Sequence, residues 1–82
     1  MSFNGWKNRQ TWNVSLWLQN DEKLYKMIKN TEIKYKSKAY QFFISYNGLD
    51  KERTPDGVLY NDPRLDTYTL SELVYDINRD RQ

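Results

Sequence analysis

The sequence predicts a mainly α-helical single domain of about four helices with a long structured loop before the last one, and three features carry that expectation. A capping box, Thr69-Leu-Ser-Glu72, opens a stripe of Leu70, Leu73, Val74 and Ile77 at i, i+3, i+4 and i+7. Leu24 and Ile28 lie four apart beside Tyr25, with Lys23, Lys26 and Lys29 on the other side, as in an amphipathic helix. Residues 50–68 carry turn signals and no periodicity, so they form the loop.

From the N-terminus, residues 1–7 are expected as an extended lead-in. Asn8 or Thr11 caps a first helix to about Gln19, in which Trp12 and Leu16 share a stripe beside Val14, Trp17 and Leu18. A strand would place Trp12, Val14, Leu16 and Leu18 on one face, but Trp17 breaks that alternation. Asn20-Asp-Glu22 reads as an N-cap with acidic first-turn residues, which starts a second helix over about 21–30. Residues 31–36 alternate charged with apolar and suit a linker or a short strand. Ser37 is expected to cap a third helix over about 38–47, with Ala39, Tyr40, Phe43, Ile44 and Asn47 on one face and Gly48 as its stop. The alternative there is an α+β fold with a short hairpin at Asn47-Gly48, because Phe42, Phe43 and Ile44 favour β structure. In the loop, Thr54-Pro-Asp-Gly57 has the residues of a tight turn, and Asn61-Asp-Pro63 marks a second bend. Val58, Leu59 and Tyr60 between them are expected to tuck beneath the loop.

Eighty-two residues bury only about 60–65% of the surface that the unfolded chain exposes. There is no Cys for disulfides or thiolate metal sites and no His for imidazole chemistry, so aromatic packing or oligomerisation must supply stability. Aromatic residues make up 16% of the chain, and all three tryptophans, Trp6, Trp12 and Trp17, fall near the N-terminus. Trp12 and Trp17 are five apart, about 140° around a helix, and are assigned chiefly to folding. Trp6, flanked by Lys7 and Arg9, is the tryptophan better placed for an interface, its plainer role being a lid over the core edge. A mean hydropathy of −1.01 with a net charge of only +2 describes a polar chain that still folds. No apolar run reaches the length of a membrane span or a signal-peptide core, so a cytoplasmic protein without membrane contact is expected. Charge is unevenly divided: residues 1–38 hold eight Lys and Arg against three Asp and Glu, and the remainder five against eight. Such a dipole can orient on a charged partner or pair its own halves.

The residue inventory argues against an enzyme. Without Cys or His the acid-base groups are carboxylates, and Asp56, Asp62 and Asp66 match no calcium-loop spacing. Each fits a turn or helix-entry role instead. Three dispersed glycines make no phosphate loop or dinucleotide fingerprint, so no catalytic, metal or cofactor residue is assigned. The basic stretch from Lys26 to Lys38 is the best candidate for polyanion contact. Lys26, Lys29, Lys34, Lys36 and Lys38 surround Tyr35, the mix of charge and stacking ring that single-strand binders use, although a solvated lysine face has the same composition. With no arginine in the run, binding would be weakly specific and strongly salt-dependent.

The string Gly5-Trp-Lys-Asn-Arg-x-Thr-Trp-Asn-Val-x-Leu-Trp-Leu-x-Asn-Asp-Glu-x-Leu-Tyr25 resembles a family of small proteins encoded by bacteriophages, plasmids and some bacteria. Thr54-Pro-Asp-Gly-Val58 and Asp62-Pro-Arg-Leu-Asp66 are similar to the same family, and no motif of it is recognised in residues 31–47. The resemblance implies a mobile-element context and carries no activity over to individual residues. It leads to the first functional expectation: a non-enzymatic interaction protein, monomeric or a small homo-oligomer, that binds and inhibits a host protein or ribonucleoprotein complex. A nucleic-acid-guided defence nuclease is the plausible target, in the manner of an anti-CRISPR protein. The expected contacts are Trp6, Lys7, Asn8 and Arg9. The second expectation is a nucleic-acid-binding regulator that uses the basic stretch.

Overall fold

The computed structural model describes residues 5–80, and the expected lead-in lies partly outside them. Four helices fold there: α1 (Arg9–Asn20), α2 (Glu22–Asn30), α3 (Ala39–Tyr46) and α4 (Thr67–Arg79), with a long segment between the last two. Their Cα radius of gyration of 11.6 Å matches the roughly 11.7 Å expected of a compact chain of this length.

Asn8, rather than Thr11, caps α1: its Oδ1 accepts from the Thr11 N–H at 2.9 Å and from the Thr11 hydroxyl at 2.6 Å. The buried face of α1 is Thr11, Val14, Ser15 and Leu18, joined by Asn13, whereas Trp12, Leu16 and Trp17 are half-buried. Two small hydroxyl residues thus occupy core positions that the apolar pattern gave to larger neighbours. Their polar atoms are satisfied locally, as where Ser15 Oγ donates to Trp12 O at 2.7 Å. One residue makes the corner to α2. Asp21, not Asn20, is the cap: its N–H closes α1 on Trp17 O at 2.9 Å, while its Oδ1 accepts from the N–H groups of Lys23 and Leu24 at 2.9 and 3.3 Å.

Residues 31–36 form a linker without helix or strand, in which Thr31 and Ile33 are buried while Glu32 and Lys34 are exposed. The buried face of α3 is the expected one, Ala39, Tyr40, Phe43 and Ile44. Its start is not. Ser37 makes no cap; Lys38 holds that position with φ of 60° and no side-chain bond. The Ser71 hydroxyl of α4 instead accepts from the Tyr40 N–H at 3.0 Å. At the other end Gly48 adopts φ of 69°, which brings the Leu49 N–H onto Ile44 O at 2.8 Å and the Gly48 N–H onto Ser45 O at 3.3 Å. That is a Schellman stop, so Asn47-Gly48 terminates a helix and the hairpin alternative is ruled out there.

The long segment makes one isolated antiparallel bridge, Arg53 with Leu59, and no named strand among the described residues. Its tip is the expected turn: the Gly57 N–H reaches Thr54 O at 2.8 Å with Gly57 φ at 91°. Val58, Tyr60 and Leu65 are buried beneath it, and Tyr40 Oη donates to Tyr60 O at 2.5 Å. Burial pushes the Tyr40 hydroxyl well above the ordinary phenol range and Tyr60, also raised by the Asp21 charge, to about 12.

Asp66, not Thr69, caps α4, three residues earlier than the capping box suggested. Its Oδ1 accepts from the Thr69 N–H at 3.4 Å, and the Thr69 hydroxyl turns back to Asp66 O at 3.1 Å. Leu70, Val74 and Ile77 are buried and Leu73 half-buried, on a helix that packs chiefly on α3 and also touches α2 and α1. Buried on the same helix, Asn78 Nδ2 donates to Ile28 O at 2.8 Å and Thr31 O at 2.7 Å, satisfying carbonyls at the end of α2. Asn78→Ala should therefore lower the unfolding free energy by about 1–3 kcal/mol, the usual penalty for orphaned buried polar groups. Urea denaturation checks this, and a loss below about 0.5 kcal/mol would show that the amide does not secure α2.

Candidate binding surface

The N-terminal candidates separate once their contacts are followed. Trp6 is half-buried against the core, and the Asn8 amide is fully engaged, capping α1 through Oδ1 and donating from Nδ2 to Arg64 O at 2.8 Å. Lys7 and Arg9 alone of the four are exposed.

Asn8 belongs to a seam that explains why the tryptophan string and the two loop strings occur in one chain. Asn13 accepts from the Thr54 hydroxyl at 2.7 Å and donates to Asp56 Oδ2 at 2.8 Å, the oxygen that also accepts from Trp17 Nε1 at 2.9 Å. Further along, the Thr11 hydroxyl accepts from the Asp66 N–H at 3.0 Å. The loop carboxylates Asp56, Asp66 and Asp62 are thus all engaged: the first in the seam, the second as a cap, and the third against Arg64 at 2.8 Å. Among the described residues no group of three or more His, Cys, Asp or Glu could hold a metal ion, and no helix is long and apolar enough to cross a membrane.

The basic stretch also divides. Lys26 pairs with Glu22 at 3.4 Å, Lys29 lies 5.7 Å over the Tyr25 ring, and Lys36 faces Glu72 at 3.6 Å. Lys34, Tyr35 and Lys38 instead line an open groove of about 550 Å³, together with Glu32 and Ile33 of the linker and Phe42 and Tyr46 of α3. These rings are well exposed, Tyr35 at 76%, Phe42 at 47% and Tyr46 at 69%, although a free aromatic surface is unfavourable in water. Phe42 and Tyr46 stack on each other with centroids 5.7 Å apart and planes 21° from parallel. Neither was a sequence candidate. The available signal was their i, i+4 spacing on the face of α3 opposite Ala39, Tyr40, Phe43 and Ile44.

The seam carries a pH signature. Hydrogen bonds from Asn13 and then Trp17 hold the Asp56 carboxyl below its ordinary value of 3.8, and Arg64 does the same for Asp62. A carboxyl depressed in the folded state contributes stability above the unfolded value and loses it as pH falls through the folded one. Urea midpoints should therefore drop on acidification below pH 3.8, and Asp56→Asn should make the drop shallower while weakening the fold at neutral pH. An unchanged acid limb in that variant would remove Asp56 from the account.

No curated protein and no solved structure matches this chain. The sequence profile of one family spans residues 1–80, taking in the tryptophan string, the seam and the groove alike. The chain therefore belongs to the family of unknown function DUF7249.

Proposed function

We propose that this protein is a non-enzymatic binding module that holds single-stranded nucleic acid in the groove between residues 32–38 and α3. The observation that carries this reading is the set of exposed rings Tyr35, Phe42 and Tyr46 in one groove with Lys34 and Lys38, which have no ion-pair partner among the described residues, against a single lining carboxylate, Glu32. Bases of any identity can stack on such rings while the ammonium groups take the phosphates. Lysine contacts phosphate as a point charge and does not read bases, so the ligand class is defined by backbone and stacking rather than by sequence.

A second reading has its own support. Lys7 and Arg9 are exposed beside half-buried Trp6, a small cationic surface of the kind that steers docking onto a host protein or ribonucleoprotein complex. On this reading the protein acts in the host cytoplasm against a nucleic-acid-guided defence system, the setting that the resemblance of the tryptophan string implies. The two readings meet if the strand held in the groove belongs to such a complex.

Anisotropy of labelled oligothymidylate decides the first reading. Binding is expected at low salt, falling steeply as salt rises. Phe42→Ala should lose about 1–3 kcal/mol of affinity, and the Lys34→Ala, Lys38→Ala pair should reduce the log–log salt slope by about 1.4. No binding at low salt, with recovery of a host complex that depends on Lys7 and Arg9, would replace the first reading by the second.

A further inference from the structure

Next to the groove, a second cleft of about 360 Å³ opens between the start of α3 and the first turns of α4. Ser37 and Lys38 line both hollows, so the two are separated only by that ridge. Its far wall is α4, which presents Tyr68, 73% exposed and as free of covering atoms as the rings across the ridge. Lys36 reaches into it but is met there by Glu72, 3.6 Å away, both side chains being roughly half exposed.

Resting on the nucleic-acid reading above, we infer that the strand path crosses the Ser37–Lys38 ridge into this second cleft, where Tyr68 supplies a further stacking ring and Glu72 competes with phosphate for Lys36. Charge complementarity selects the occupant. The ridge and the cleft hold two lysines against one carboxylate, and that carboxylate already shares its charge with Lys36, so the cleft accepts an anionic chain once the pair opens. A half-exposed ion pair is easily exchanged, since such pairs contribute little and a phosphate oxygen offers the ammonium an equivalent partner. The arrangement makes the second cleft the weaker, salt-tuned end of the surface and the groove its anchor. An apolar peptide segment would desolvate the Lys36–Glu72 pair and leave Lys38 without a partner, which disfavours it.

Binding of oligothymidylates of about 4 and about 12 nucleotides, within the range of footprints known for single-strand binding folds, tests the path. Tyr68→Ala should weaken the longer oligonucleotide about five-fold or more and leave the shorter one, held by the groove, within about two-fold; stacking losses of this size are ordinary. Tyr68→Phe, which keeps the ring, should restore wild-type affinity. Glu72→Gln should tighten the longer oligonucleotide about three-fold and steepen its log–log salt slope by about 0.7, the increment for one added phosphate contact. A merely structural Glu72 would leave affinity unchanged or reduce it. If Phe42→Ala weakens both lengths while the Tyr68 and Glu72 variants behave as wild type, the extended path is wrong and the groove stands. Absence of binding by the intact protein at low salt overturns both together.

Discussion

The fold depends on one buried amide. Asn13 is only 1% exposed, yet both ends of its side chain are bonded to the long segment, one to the Thr54 hydroxyl and one to the Asp56 carboxylate. That segment supplies Val58, Tyr60 and Leu65 to the core, so detaching it would remove three buried side chains from the one hydrophobic cluster. A chain this short has little apolar area to spare, and a loop of about twenty residues is expensive to order without internal structure. The seam meets this need with directional bonds instead of more hydrophobic bulk. Each neutral bond contributes about 0.5–1.5 kcal/mol, but their main effect is to fix which turn of the loop sits on which turn of α1.

The same device recurs at the other helix ends. Asn78 of α4 closes the end of α2, Ser71 of α4 closes the start of α3, and Asn47 donates to Thr31 Oγ1 at 3.0 Å from the end of α3. The last helix is therefore central in two senses, through the apolar contacts of Leu70, Val74 and Ile77 and through polar side chains that finish its neighbours. No buried side-chain polar atom among the described residues is left without a partner, which is what permits so many hydroxyl and amide groups inside so small a core.

This explains what was legible in the sequence and what was not. Helix number and order, the Gly48 stop and the Thr54–Gly57 turn follow from local rules, periodicity and backbone chemistry, and all three are present. The reading failed where polar side chains take core positions or act across the fold. Thr11 and Ser15 lie on the buried face of α1 because their hydroxyls are satisfied at short range, and no hydrophobicity count would place them there. Asp66 takes the cap from Thr69 because Thr11, fifty-five residues earlier, positions its N–H, a contact invisible to a local capping pattern. The groove was half legible. Lys34, Tyr35 and Lys38 were visible as charge with a ring among them, whereas Phe42 entered only as a β-forming residue and Tyr46 not at all, because nothing local joins α3 to the linker before it.

Folding and binding are consequently separable in this chain. The tryptophan string and the loop strings account for the seam, and even Trp6 and Asn8, which seemed suited to an interface, are largely drawn into packing and capping. The groove is built from side chains that contribute little to holding the helices, because Tyr35, Phe42 and Tyr46 project from a scaffold already closed by Ala39, Tyr40, Phe43 and Ile44 behind them. Trimming an exposed ring removes contact area for a ligand but opens no cavity, whereas trimming a seam residue leaves a polar group stranded. A ligand seated in the groove would bury rings that the folded chain leaves in water, and the same burial that drives folding elsewhere would then drive binding here.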